Sequence, residues 1–477
     1  MIQTNYIVAI ELSSSKVTGA VGIETINGIK IIATASTLVD GYISKGVVRN
    51  VDKTSEGIAD IINRLEHDLT DNDGKEITIK RAYVSLAGLT MHSIQSKVTR
   101  TFDTYTKISA ETISEMELEN DALFQVPDGY SKVHVITQEY KVDGKTDHNP
   151  IGAPAMAIEG RYLNIVIKKQ FLEQLNESFE QVDTVITDSF VAACMDADIL
   201  LTKDARRNGC ALVNIGAETT TVSIYNNDNL RMLKVLPLGS NNITRDLCAE
   251  QISYDAAEVI KITRGYKSQA SETEPISNET ANNIIRARTG EILQNVKYQI
   301  EESGEMIHNV IFTGGGSRLK NLSILLEEYL PNFNTSIVSD PQLAFECKPG
   351  VNTYGIFTTA LYGLLNHGKE NCCEETSNEP QPTTLFPENI MSGNDTPEED
   401  TTTIANEEEE ARREEEQRKK KEEEDRKKRE EELKKKKKKE KEQALLNKIR
   451  GFGGLFKEFL QDATSEDEDD DINNEDD

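Results

Sequence analysis

Short apolar runs with period-two alternation recur through residues 6–368, and several end in clusters of small or hydroxylated residues. Residues 211–225 set the theme. Val213 and Ile215, then Val222 and Ile224, predict two strands, with Gly216, Ala217, Glu218, Thr219, Thr220 and Thr221 at the tight turn between them. Residues 6–22 repeat the design, with Glu11 at the end of the first strand and Ser13, Ser14, Ser15 and Lys16 in the turn. Residues 235–246 run a strand into Gly239 and Ser240 and then a helix, and residues 310–318 run a strand into Gly314, Gly315, Gly316 and Ser317. A helix is predicted after that last turn, over 319–329. The period lengthens to that of a helix at 54–69, where Ile58, Ile61, Ile62 and Leu65 share one face, and again at 170–181, 253–261 and 279–301. Between 81 and 162, strands at 82–87, 97–102 and 133–142 and a helix within 109–124 predict a compact α+β unit. It is inserted into a larger α/β fold, to which a strand over 161–167 returns.

Beyond residue 368 the pattern changes three times. Residues 369–406 are rich in Glu, Thr, Asn and Pro and predict a disordered linker; 407–443 are almost wholly charged, with acids four positions ahead of bases, as in a solvated helical spacer. Residues 444–460 then place Leu445, Ile449, Phe452, Phe456 and Phe459 in a narrow helical arc, widened by Leu446, Leu455 and Leu460. With Lys434–Lys439 upstream and no core of its own to join, this segment predicts an amphipathic helix lying in an anionic membrane surface, in preference to docking in a partner groove. The tail from 462 to 477 is acidic and carries no base.

Composition narrows the function classes. The 477 residues carry a net charge of -29, which excludes a nucleic-acid binder of the usual basic kind. The six cysteines show no metal-type or redox pairing, so reduced thiols are expected, and the vicinal Cys372–Cys373 pair has no evident role. The N-terminal residues do not read as a signal peptide, and no apolar run is long enough to span a bilayer. A cytoplasmic protein is expected.

The chemistry lies in the turns. Small residues let backbone N–H groups and hydroxyls approach a phosphate, although each of the first two turns is by itself equally compatible with a plain hairpin. Lys16 adds a cation that a phosphate would use. The strand-to-helix glycine turn at 314–317 is the most specific signal, because such turns place N–H groups beside an open space.

Taken together, these turns resemble those of the actin, sugar-kinase and heat-shock chaperone ATPase superfamily, and within it the FtsA family of bacterial cell division. The likeness covers about residues 6–368 plus the terminal helix. It rests further on the 40–54 segment Asp-Gly-Tyr-Ile-Ser-Lys-Gly-Val-Val-Arg-Asn-Val-Asp-Lys-Thr, and on Tyr140-Lys-Val-Asp-Gly144 followed by Asn149-Pro-Ile-Gly152. The resemblance implies an actin-like, duplicated ribonuclease-H-type α/β fold with an inserted α+β subdomain, 1C. Subdomain 1A would be 1–84 with 163–192, 1C 85–162, 2A 193–240 with 309–368, and 2B 241–308; a linker at 369–443, the membrane helix at 444–461 and the acidic tail would follow. It implies ATP and Mg²⁺ as ligands. Ser13, Ser14, Ser15 and Lys16 would bind phosphates in one half, and Gly216, Ala217, Glu218, Thr219 and Thr220 in the other, near Gly239 and Ser240. Glu258 and Lys261 would lie beside adenosine and ribose, and Gly314, Gly315, Gly316 and Ser317 over the nucleoside. Glu11, through water on Mg²⁺, and Asn214 occupy the catalytic positions. The family usually has Asp where this chain has Glu11 and Asn214, so hydrolysis is expected to be weak or absent. The implied partners are the FtsZ C-terminal tail, with Arg286 and Arg288 as contacts, further copies of the chain in a filament, an anionic membrane, and downstream division proteins on 1C. The alternative is an active ATPase or phosphotransferase of the same superfamily.

Overall fold

Three consecutive strands, Tyr6–Leu12, Lys16–Thr25 and Gly28–Leu38, form an antiparallel meander. Arg81–Leu86 lies parallel to the first of them, and Val185–Val191 lies parallel to Arg81–Leu86 on its far side. The same order recurs later in the chain. Cys210–Ile215, Thr220–Asn226 and Asn229–Leu236 form the meander; Asn309–Thr313 lies parallel to its first strand, and Asn334–Ile337 follows. The duplication expected from the paired turns is therefore present in the strand connectivity. These statements come from a computed structural model that describes residues 4–26, 28–69, 76–267, 276–338, 346–351 and 358–376. The chain divides into two units, Met1–Pro380 and Gln381–Asp477, and every described residue lies in the first. The linker from 377 onward, the membrane helix with Leu445, Leu446, Ile449, Phe452, Leu455, Phe456, Phe459 and Leu460, and the acidic tail lie outside the described residues.

Helices cover the sheets where the apolar period requires it. Val51–Leu69 buries Ile58, Ile61, Ile62 and Leu65, the face read from the sequence, on the first meander. Gly19 permits this approach: a Cβ there would stand 2.5 Å from Ile61 Cγ2 and 3.0 Å from Leu65 Cδ1. Asn278–Glu302 buries Ile284, Ile285, Ile292, Leu293 and Val296 in the second core. Serine side chains cap the N-termini of three of the described helices: Ser109, Ser253 and Ser277 accept from the N–H of Thr112, Ala256 and Thr280.

The inserted unit has its own core around Val98, Met116, Tyr140, Ile158 and Tyr162. Its strands His92–Lys107, Tyr130–Val142 and Pro154–Lys168 are antiparallel, with the last in the middle. The expected boundary at 162 falls inside the single strand Pro154–Lys168, whose residues up to Tyr162 pack in the insertion's core while Leu163, Ile165 and Ile167 pack in the core of the first half. The insertion also meets the second half, where Gln138 Nε2 donates to Leu230 O at 2.6 Å and Asn229 Nδ2 donates to Gln138 O at 2.6 Å.

Two expectations are corrected. Residues 369–376 are ordered rather than linker: Cys373–Thr376 pairs antiparallel with Glu76–Ile79, and Cys372 N–H donates to Tyr6 O at 2.8 Å. Cys372 and Cys373 are 1% and 5% exposed, so the vicinal pair is an apolar plug at the sheet edge. The helix expected over 319–329 is preceded by a 3-10 turn at Gly315–Arg318 and begins only at Leu322, ending at Tyr329.

Candidate functional site

The turns at 13–16, 216–219 and 314–317 converge through the backbone that surrounds them. In the first, Ser13 N–H donates to Lys16 O at 3.0 Å and Ser13 Oγ donates to the same oxygen at 2.8 Å. Ser13 therefore braces the turn, while Ser14 Oγ accepts the Gly46 N–H at 2.8 Å. In the second, Gly216 N–H closes on Thr219 O at 2.8 Å. Ser240 N–H donates to Gly216 O at 3.0 Å and Asn241 N–H to Ala217 O at 2.8 Å, which stacks the Gly239–Ser240 loop on this turn. Thr220 is buried and its hydroxyl donates to Leu238 O at 2.7 Å, so it too serves the loop's shape. Among the described residues, no hydrogen bond occupies the N–H groups of Ser14, Ser15, Ala217 or Thr219. These donors, with the Ser15 and Thr219 hydroxyls and Lys16, are what an anion needs.

The third turn folds against Asn214. Gly314 has φ 88°, a conformation that glycine adopts without strain, and a Cβ there would meet Asn214 Oδ1 and lie 2.6 Å from Ile215 O. Gly315 faces space, with nothing within 4 Å of a Cβ built on it. Ser317 is buried, and its hydroxyl donates to Gly314 O at 2.7 Å, bracing the turn from behind instead of closing over a ligand.

Carboxylates line the floor. Glu11 Oε2 accepts from Thr358 Oγ1. Burial raises its pKa, the Thr358 hydrogen bond opposes the rise, nearby Asp196 adds to it, and Lys16 counteracts it. The Lys16 ammonium is pushed down by burial, restored in part by Glu11 and lowered further by Arg318. Asp196, from the helix Ala192–Leu200, is the residue that sequence reasoning missed. It is 2% exposed, and it accepts from Asn214 Nδ2 at 2.8 Å and from Thr359 Oγ1. Burial raises its pKa, and both hydrogen bonds oppose that.

Glu218 stands apart from the phosphate role expected of it. Its Oε2 accepts from Lys45 N–H at 2.7 Å and from Ser44 Oγ at 2.9 Å, and its Oε1 accepts from Arg245 Nη2 at 2.6 Å. A carboxylate repels phosphate, and here it ties the second turn to the loop that Ser14 also holds. Glu258 and Lys261 engage one another at 2.7 Å, and both bond the Thr244 hydroxyl, at 2.7 and 2.9 Å. Arg288 clasps Asp246 through Nε and Nη2 and donates to Glu291 at 2.8 Å, which locks the long helix to Asn241–Ala249. Arg286 bonds Glu328 at 3.0 Å and its side chain is 54% exposed. Among the described residues, no helix is long and apolar enough to cross a membrane.

The residues present fit a nucleotide with a hard divalent cation. Unused N–H groups beside Lys16 suit phosphates, Gly315 leaves room, and Glu11 and the Asn214 amide offer the oxygen donors that Mg²⁺ prefers.

Two matched halves with facing turns define an actin-like ATPase fold. Among solved structures, that described as "PilM-PilN type IV pilus biogenesis complex" superposes with a TM-score of 0.55 at 16% identity, covering 75% of this chain and 97% of that one. A family model described as "Cell division protein FtsA" matches residues 211–345, and one described as "SHS2 domain inserted in FTSA" matches residues 88–166. Both matches are to FtsA models, and the chain is similar to members of the FtsA family. It is 29% identical to "Cell division protein FtsA" of Porphyromonas gingivalis over 60% of this chain and 63% of that relative. With the Bacillus subtilis protein of the same description, identity is 26% over 68% of this chain and 77% of that one. The 88–166 match falls between the strands Arg81–Leu86 and Val185–Val191, which pair in parallel.

Proposed function

We propose that this chain binds Mg²⁺ and ATP between its two halves, polymerises with its own copies, and anchors the FtsZ ring to the cytoplasmic face of the membrane during division. The observation that carries the reading is the convergence of two hydroxyl-bearing turns on the 44–46 loop, with a glycine turn folded on Asn214 beside the second, in a chain that also bears the family's inserted domain. Lys16 and the N–H groups of Ser14, Ser15, Ala217 and Thr219 hold the phosphates, and Gly314–Gly315–Gly316 borders the nucleoside. Mg²⁺, when bound, neutralises phosphate charge. Glu258 and Lys261 shape the adenosine side through Thr244. Asn214 carries no charge and cannot accept a proton, so hydrolysis is weak and the nucleotide is chiefly a structural ligand.

The membrane contact is residues 445–460, and the FtsZ tail docks on 241–308, where Arg286 is the more available arginine and Arg288 sets the helix that carries it. The inserted domain receives downstream division proteins. Co-sedimentation with anionic liposomes tests the tether. The full chain is expected to pellet, and to carry an FtsZ tail peptide with it, whereas a chain lacking residues 445–460 stays in solution while still binding the peptide. Full pelleting of the deletion protein would refute the anchor.

A further inference from the structure

Asp196 is a buried acid in the otherwise largely apolar helix Ala192–Leu200, and Coulombic support from a cation is not among the causes that shift it. Its partners are a hydroxyl, from Thr359, and an amide, from Asn214 at 2.8 Å. A carboxylate only accepts hydrogen bonds, so the amide nitrogen of Asn214 must face it. The amide oxygen is then turned the other way, against Gly314 of the nucleotide-side turn, where a glycine Cβ would strike it.

We propose that Asp196 is the positioning residue for Asn214: the pair keeps the Asp196 carboxylate on the helix and presents a neutral oxygen to the ligand. Asn at 214 is then the requirement of Asp196 and not simply a lost acid. A carboxylate at 214 would put two like charges at hydrogen-bond distance in a buried site, which one of them could survive only by holding a proton. Exchanging the two residues restores one donor and one acceptor, with the charge moved to the strand. The ligand half of this inference rests on the nucleotide reading above; the pairing half does not.

The test uses the full chain in four forms: wild type, N214D, D196N and the exchanged D196N/N214D. Thermal melts at pH 7.5 are read with binding of a fluorescent N-methylanthraniloyl ATP in Mg²⁺ and in EDTA. N214D is expected to melt lower by about 4 °C or more in the wild-type background and to cost nothing when residue 196 is Asn. A packing role for either side chain gives no such reversal. The ratio of affinity in Mg²⁺ to that in EDTA is expected to fall about tenfold in D196N, the usual scale for losing a group that orients a ligand, and to recover in the exchanged protein. An equal melting loss from N214D in both backgrounds, or no loss in either, overturns the pairing. An unchanged Mg²⁺ ratio in D196N overturns the positioning role. If the wild type itself binds no probe, the nucleotide reading has failed, and the melting cycle still decides the pair.

Discussion

Replacing Glu218 with Ala should free the loop that links the turns at 13–16 and 216–219. The loop carries two short strands, Ile43–Ser44 and Val47–Val48, joined through Lys45 and Gly46, which have φ 53° and 69°. Glu218 holds its tip through Lys45 N–H at 2.7 Å and Ser44 Oγ at 2.9 Å. Only 12% of the Glu218 side chain is exposed, against 57% of its third partner, Arg245. The two loop bonds are charge-assisted and shielded, at roughly 1.5 kcal/mol each on the low side. The arginine pair is open to solvent and adds under about 1 kcal/mol. Loss of the carboxylate therefore lowers the local opening free energy by about 3 kcal/mol, a roughly hundredfold rise in the opened loop. Hydrogen exchange by mass spectrometry reads this directly. Peptides covering 43–48 should exchange faster by that factor in Glu218→Ala, while Tyr6–Leu12 is unchanged. Glu218→Gln, which keeps an acceptor oxygen but loses the charge, should fall between. Wild-type exchange at Lys45 in the alanine variant would show that the bond does not hold the loop.

Two other outcomes follow from buried groups. Burial lifts the Glu11 carboxyl above its ordinary 4.5, so the folded chain retains a proton that the unfolded chain releases. Stability must then fall as pH rises from 4.5 through the folded-state value, with the full cost remaining above it. Glu11→Gln should reduce that slope in thermal melts taken between pH 4.5 and 8, leaving the share of Asp196, which burial raises in the same way, and parallel curves for the two proteins would contradict the assignment. The Cys372 and Cys373 thiols are pushed up to about 11 and about 12 by burial, so neither should react with an aromatic disulfide reagent at pH 8 until the chain unfolds. The half-buried Cys248 and Cys347 should label first, and mapped labelling of 372 or 373 in the folded protein would argue against the strand Cys373–Thr376.

What could be read from the chain divides by the distance over which the signal acts. The meanders were legible because strand, turn and strand follow one another, and the helix face of Ile58, Ile61, Ile62 and Leu65 was legible because its period is local. The edge strand Cys373–Thr376 was not, since its partner lies at Glu76–Ile79 and its only local mark is two cysteines in a polar stretch. Glu218 shows a different failure. Its place in a small-residue turn suggested phosphate, whereas the chemistry of a carboxylate argued for a cation or N–H partner, and Lys45 N–H and Arg245 supply both. Asn214 shows the most consequential one. Read along the strand, it is a position where a charge has been lost. Read across the cleft, it donates to Asp196, whose other partner, Thr359, comes from a third segment of the chain. No spacing rule links those three residues; only the fold does, by packing helix Ala192–Leu200 against helix Thr359–His367 and within hydrogen-bond reach of the strand Cys210–Ile215. The charge has a new address one hydrogen bond away, so a substitution that restores an acid at 214 alone sets a second carboxylate directly against that of Asp196.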